Sequence, residues 1–237
     1  MSIYYIIFII LSFLPSIAWL LFFLQEDRHP EPAKMLLKVF FWGMIAPLPV
    51  IAISFPINIW LIKIGASPFL ISFVMIVAVA AITEEIAKYL VVRQTVLKSP
   101  ECDEPLDLMI YAITAALGFA ALENIVFLFP MEFPFSRGVM MIESYFRFIS
   151  GTFLHALVAG VMGYFIALSV YYTKRRLLLV FTGLSLAIVL HATYNFSIIY
   201  SEVERYAAVI APFLLITLFI VVFFCFKKLR KMPSICK

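Results

Sequence analysis

The chain has 237 residues, of which 65% are hydrophobic and only 14% are charged, and its mean hydropathy is +1.08. This apolar share is far above that of a soluble domain, so the composition excludes a water-soluble globular protein. The net charge is +4, but the basic residues stand in short clusters between apolar runs, where flanking charge sets membrane orientation. Nucleic acid is therefore not an expected partner, and lipid is.

Seven apolar segments are each long enough to cross a hydrocarbon core of ~30 Å as a helix. Their apolar runs are continuous instead of alternating with polar residues, which excludes a strand barrel. We expect an all-α, polytopic transmembrane bundle that forms one domain over residues 1–237. The first segment lacks a preceding basic region and a small-residue cleavage site, which predicts a retained helix. The predicted spans are 3–24, 35–57, 68–97, 107–129, 145–172, 177–200 and 206–226.

The loops between these spans differ in basic charge. Thirteen Lys and Arg residues fall on the side of the C-terminus and four on the other side. The positive-inside rule then predicts an N-terminus outside and a C-terminus in the cytoplasm of a prokaryotic plasma membrane. The thirteen are Arg28, Lys34, Lys38, Arg93, Lys98, Lys174, Arg175, Arg176, Lys227, Lys228, Arg230, Lys231 and Lys237, and the four are Lys63, Arg137, Arg147 and Arg205.

The third predicted span carries charge at mid-membrane. A charged side chain there costs at least ~2.5 kcal/mol on insertion scales, so it needs a partner or a function. Helical spacing puts Lys88 beside both Glu84 and Glu85. The two glutamates are about 100° apart around the helix axis, so they cannot both aim at one point. Either one carboxylate faces a reacting centre while the other holds Lys88, or all three form a charge-compensated structural triad.

Glu123 in the fourth span has no basic residue within a helical turn. A lone buried carboxylate either takes up a proton or finds a cation, so a metal is a natural partner. Two of the three histidines, His155 and His191, also lie inside predicted spans. Either histidine alone is often only a packing residue. Two neutral imidazoles and one carboxylate, however, form a common catalytic zinc set with an open coordination position.

The depth of these residues tests whether they can meet. Measured along the helices from Pro130, Ser150 and Tyr200 at the outer face, Glu123 lies ~10 Å deep, His155 ~8 Å and His191 ~14 Å. Glu84 lies ~24 Å deep by the same arithmetic. We therefore assume that the overlong third span projects from the bilayer and enters it near Phe73.

The polar positions together resemble the PrsW family of intramembrane metalloproteases, which is distantly related to the CAAX prenyl proteases. The similar elements cover most of the chain from about Asp27 to Asn195, and four motifs follow in order, each in its expected span. They are Glu84-Glu85-x-x-Lys88, Phe119-x-x-x-Glu123-Asn124, an isolated His155 and His191-x-x-x-Asn195. The segments Asp27-Arg28-His29-Pro30-Glu31-Pro32 and Glu104-Pro105-Leu106-Asp107 also look like that family.

The resemblance implies a zinc-dependent endopeptidase that cuts a single-span or membrane-associated protein, such as an anti-sigma factor in regulated proteolysis. It implies Zn²⁺ bound by Glu123, His155 and His191, with Glu84 or Glu85, next to Lys88, as the base that deprotonates water. It also implies that Asn195 and Asn124 donate hydrogen bonds to the oxyanion. The oligomeric state stays open.

Two other classes share some of these features. A proton- or ion-coupled transporter also buries glutamate, lysine and histidine along its pathway, but the chain has no inverted repeat. A catalytically inactive membrane scaffold is the second alternative. The filled polar positions of the motifs favour the enzyme.

Overall fold

The computed structural model describes residues 3–27, 29–128, 138–201 and 203–234. All regular elements in these ranges are helical, which confirms the expected all-α class. A π-helix, Phe73–Ala80, joins α4 to α5, and short 3₁₀ helices precede α8 and α9. The α-helices are α1 Ile3–Leu24, α2 Ala33–Ile45, α3 Pro47–Lys63, α4 Pro68–Ser72, α5 Ala81–Thr95, α6 Pro105–Leu128, α7 Gly138–Tyr171, α8 Arg176–Ser201 and α9 Ile210–Leu229.

Six helical stretches within the described ranges are long and apolar enough to cross a membrane. α1 contributes a shorter apolar stretch, Ile9–Leu24. The structure thus confirms a polytopic bundle of six to seven spans. The six stretches are Ala33–Lys63, Pro68–Thr95, Pro105–Val126, Ile149–Tyr171, Thr173–Ser201 and Arg205–Leu229.

Helix α6 lies at the centre of the bundle. The most apolar 18-residue window of its span is 94% buried, against 17–28% for the spans that face the surroundings. α1, α2 and α7 pack around it, and its apolar side chains join those of the neighbouring helices in one buried cluster. A helix that is apolar on all sides is stable only in such a position or in lipid. Residues on α6 are therefore held rigidly.

Close contact between α2 and α6 depends on two glycines. A Cβ atom on Gly43 would lie 2.2 Å from the Ala115 carbonyl oxygen, and one on Gly118 would lie 2.2 Å from the Phe40 carbonyl oxygen. Only glycine allows the two backbones to approach this far, as is common between membrane helices. α2 is thus fixed against the central helix.

The second predicted span is broken in the structure. α2 ends at Ile45, and α3 begins at Pro47, whose ring is tolerated at the first position of a helix. Of α3, only Pro47, Val50 and Leu61 are buried. The anchored α2 is therefore followed by a helix with few buried side chains.

A π-helix directly precedes the helix that carries Glu84. Its hydrogen bonds join each residue to the fifth along the chain, so it advances less per residue than an α-helix. Glu84 is the fourth residue of α5, the helix that directly follows this segment. Its carboxylate lies 3.9 Å from His191 Nε2, so it reaches the level of the histidines.

Candidate active site

The three charged residues of α5 are buried together. Lys88 Nζ lies 2.7 Å from Glu85 Oε1 and 3.6 Å from Glu84 Oε2. The ammonium group thus compensates both carboxylates and bonds directly to that of Glu85. The Oε2 atoms of Glu84 and Glu85 are buried and have no hydrogen-bond partner within the described part of the chain. Such unsatisfied buried oxygens are rare and require an explanation.

His191 reaches this group from α8. Its Nδ1 lies 2.7 Å from Glu85 Oε1, and its Nε2 lies 3.9 Å from Glu84 Oε2. When Nδ1–H donates to the Glu85 carboxylate, the lone pair of the neutral ring is on Nε2. This carboxylate contact is the arrangement that orients histidine ligands in metal sites.

His155 reaches the same group from α7. Its Nδ1 lies 2.7 Å from Lys88 Nζ, and its Nε2 lies 2.9 Å from Glu123 Oε2 on α6. The ring centroids of His155 and His191 are 5.2 Å apart. The side chains of α5, α6, α7 and α8 therefore meet at one point inside the bundle.

Phe119 completes the surroundings of Lys88. Lys88 Nζ lies 4.6 Å from the centroid of the Phe119 ring, within cation–π range. The centroids of the Phe119 and His155 rings are 5.8 Å apart. Phe119 begins one of the four motifs but has no predicted role there. The available signal was its position four residues before Glu123, which puts both on one face of α6.

The two asparagines lie at the edge of this group. Asn195 Nδ2 donates to the carbonyl oxygen of Ile76 in the π-helix at 2.9 Å. Asn124 Nδ2 contacts Thr152 Oγ1 at 3.1 Å and the Ser12 carbonyl oxygen at 3.2 Å. Both amides are thus engaged with protein acceptors.

A cavity of about 310 Å³ opens beside the group. Both asparagines line the cavity together with Glu84, Glu123 and the two histidines. Glu85 and Lys88 lie behind these residues. Glu123 is the most accessible of the carboxylates, with 46% of its side chain exposed against 9% for Glu84. The wall is formed by Ile76, Ala80, Glu84, Glu123, Asn124, Gly151, Thr152, Leu154, His155, His191, Tyr194, Asn195 and Ile198.

One group of potential metal ligands stands out within the described ranges. Ligand atoms of Glu84, His155 and His191 lie within 4.8 Å of one another, and all three residues are buried. Glu123, expected as the carboxylate ligand, contacts His155 but is not part of this group.

A second carboxyl cluster, formed by Glu31, Asp107 and Tyr111, lies at the beginning of α6. Asp107 is sixteen residues before Glu123, or ~24 Å along the helix. The Tyr111 hydroxyl donates to Glu31, and the carboxyl groups of Glu31 and Asp107 hydrogen-bond each other. Burial raises the pKa of Glu31, which favours a proton shared within this pair. The cluster joins the two flanking segments that resemble the PrsW family.

Fold and site together define a membrane-embedded enzyme that works with carboxylates and histidines. A family model described as PrsW family intramembrane metalloprotease matches residues 31–226, and the chain belongs to this family. "Protease PrsW" of Geobacillus kaustophilus is 29% identical over 191 residues, which cover 79% of this chain and 78% of that protein. "Protease PrsW" of Bacillus subtilis is 27% identical over 186 residues, with 77% and 78% coverage. No solved structure matches.

Family membership decides between the alternatives that the sequence left open. The chain is an intramembrane peptidase, and neither the transporter nor the inactive scaffold is needed to explain its buried charges. The relatives are bacterial proteins.

Proposed function

We propose that the chain is a zinc-dependent endopeptidase that cuts a single-span or other membrane-associated protein. The observation that carries this proposal is the grouping of Glu84, His155 and His191 inside the membrane spans. Two imidazoles and one carboxylate are typical zinc ligands that leave a position open for catalysis. Glu84 Oε2 accepts no hydrogen bond from the part of the chain that the structure describes, and a bound cation would satisfy it. The donor set therefore fits zinc.

The distances support an exchange of two roles relative to the sequence expectation. Glu84 is buried and near both histidines, which suits a ligand. Glu123 is half-exposed to the cavity and contacts only His155 of the two, which suits a base that meets water and substrate. A zinc ion held by Glu84, His155 and His191 would supply Lewis-acid chemistry.

The chain's own residues would perform the remaining tasks. The Glu123 carboxylate, which is half-exposed to the cavity, would take a proton from a water molecule there. Glu85 would orient His191 through a 2.7 Å contact, and Lys88, also at 2.7 Å, would hold the Glu85 carboxylate in place. These two would act as positioning residues.

Asn195 and Asn124 would be the donors to the oxyanion, since both line the cavity. Each amide now donates to a protein oxygen. A substrate carbonyl would have to replace Ile76 O or Thr152 Oγ1 as the acceptor.

The excess of basic residues on one side supports a cytoplasmic C-terminus. In that orientation, the cavity lies in the extracytoplasmic half of the membrane, and cleavage would occur there. A single-span reporter with cut sites mapped by mass spectrometry tests this. Cuts confined to its cytoplasmic end would contradict the orientation.

Metal content combined with cleavage tests the zinc proposal. Purified protein should contain about one zinc per chain, and His155→Ala or His191→Ala should lower both zinc and cleavage of the reporter. His29→Ala is the matched control, because His29 is the third histidine of the chain and is exposed in a loop. It should change neither quantity.

A zinc-free preparation that still cleaves the reporter would contradict the proposal that cleavage requires zinc. The hydrogen-bonded chain from Lys88 through His155 to Glu123 would then be the machinery that activates water.

A further inference from the structure

Two openings lead to the reacting carboxylates, and only the cavity described above has a role so far. The second is a groove of about 330 Å³ beside α3, which we call the lateral groove. Ala80, Glu84 and Glu123 line both the cavity and the groove. The proposed base and its neighbouring ligand can therefore be approached from the side that α3 covers.

The helices around the lateral groove differ in how firmly they are attached. On one side lies α6, which is buried in the bundle and tied to α2 by the contacts of Gly43 and Gly118. On the other side lies α3, which follows α2 after Ala46, carries Pro56 in its interior and buries few residues. Proline removes a backbone hydrogen bond from a helix. The groove thus has one rigid wall and one weakly held wall.

The chemistry of the lateral groove matches an apolar peptide segment that has been unwound. Val50, Ile51 and Phe55 of α3 give it an apolar surface. The side chain of Asn58 also lines it and makes no hydrogen bond with any residue that the structure describes. An amide offers both a donor and an acceptor. A peptide must leave its helix before it can be cut, and its free backbone groups would cost several kcal/mol in lipid without such partners.

We propose that the lateral groove between α3 and α6 receives the unwound end of a single-span substrate helix directly from the lipid. The proposal rests on the proposed function, because it takes Glu84 and Glu123 as the reacting carboxylates. The substrate's apolar side chains pack on Val50, Ile51 and Phe55, and Asn58 bonds its exposed backbone. The scissile bond then reaches Glu123, and water comes through the cavity on the other side.

A pair of tryptophan variants on α3 tests this route. Ser54→Trp fills the groove, since Ser54 lines it, whereas Ala52→Trp adds the same bulk on an exposed face outside it. In proteoliposomes, Ser54→Trp should reduce cleavage of a single-span reporter at least tenfold, and Ala52→Trp should retain activity within about twofold. Equal activity of the two variants, both with normal zinc content and thermal stability, would overturn the proposal.

Photo-crosslinking tests docking without requiring cleavage. p-Benzoylphenylalanine is introduced at Phe55, which lines the groove, or at Ile53, which is exposed on the opposite side of α3. Both are made in a Glu123→Gln background, so that the reporter is not consumed. Crosslinks to the reporter at 55 and not at 53 support the proposal, and equal or absent crosslinking at 55 refutes it.

The two experiments separate this proposal from the proposed function. If the wild type fails to cleave the reporter but Phe55 crosslinks to it, the peptidase assignment for this substrate fails and the docking surface stands. If the wild type cleaves normally and Ser54→Trp has no effect, the activity stands and the route is wrong.

Discussion

Two carboxyl clusters lie near the two ends of α6, one around Asp107 and one around Glu123, and they differ in how their polar atoms are satisfied. Around Glu31, Asp107 and Tyr111, each side chain bonds to another member or to nearby backbone. Around Glu84 and Glu85, two buried oxygens have no hydrogen-bond partner in the described ranges. A large cavity touches the second group.

This difference separates a structural role from a chemical one. A satisfied polar network stabilises the fold and leaves no donor or acceptor for a ligand. An unsatisfied oxygen next to a cavity can bind a cation or a water molecule. Burial of carboxylates alone therefore does not identify an active site, and the following predictions test the distinction through cleavage and stability.

The largest loss of cleavage is expected when a carboxylate that faces the cavity is replaced. Glu123→Gln removes the proposed base and should lower cleavage of the reporter about 10²- to 10⁴-fold while zinc content stays normal. Glu84→Gln should abolish cleavage and also reduce zinc, because it removes a ligand. Metal analysis and reporter cleavage on the same preparations measure both.

Glu31→Gln is the matched control from the other cluster. It makes the same chemical change in a carboxyl group that is also buried. Cleavage within about twofold of wild type is expected at permissive temperature. If Glu31→Gln inactivates the enzyme while its thermal stability is unchanged, the structural role of the second cluster is wrong.

The sequence predicted the class of fold because the cost of exposing backbone in lipid leaves few alternatives. Long apolar runs such as the one in α6 can only be membrane helices. The break between α2 and α3 was missed, although Pro47 gave a signal, because the hydropathy continues across it. Nothing in the apolar sequence Phe73–Ala80 signals a π-helix, and the 3.9 Å approach of Glu84 to His191 depends on how α5 packs against α8.

Only some of the side-chain contacts within the site could be predicted from the sequence. The contacts of Lys88 with Glu84 and Glu85 follow from helical spacing, since all three share α5. The contact between Lys88 and His155 joins residues 67 positions apart and depends on how α5 and α7 pack. Helical periodicity identifies a face but does not identify the helix that covers it. The choice between Glu84 and Glu123 as the ligand is therefore open to experiment.

An intermediate loss of cleavage is expected from Lys88→Met, which removes a positive charge that lies behind the cavity. Lys88 and Glu85 are both fully buried, so the variant leaves the Glu85 carboxylate without its cation. Breaking a buried ion pair costs roughly 3–5 kcal/mol. We expect a lower melting temperature in detergent, measured by scanning fluorimetry, together with reduced cleavage.

The double variant Lys88→Met with Glu85→Gln separates these two effects. Removal of both charges should restore much of the thermal stability, because no unpaired ion remains. Cleavage should stay low, since His191 does not regain the carboxylate that orients it. If cleavage returns together with stability, the pair has no positioning role.

The smallest effect on cleavage is expected from Tyr111→Phe in the second cluster. The change removes one hydroxyl, which donates to Glu31, and keeps the buried ring. A hydrogen bond to a charged or proton-sharing carboxyl contributes about 1.5–3 kcal/mol, so the melting temperature should fall. Cleavage measured well below that temperature should equal that of wild type, because Tyr111 is twelve residues, or ~18 Å along α6, from Glu123. A loss of cleavage without a loss of stability would mean that the two ends of α6 are coupled, and the second cluster would then regulate the first.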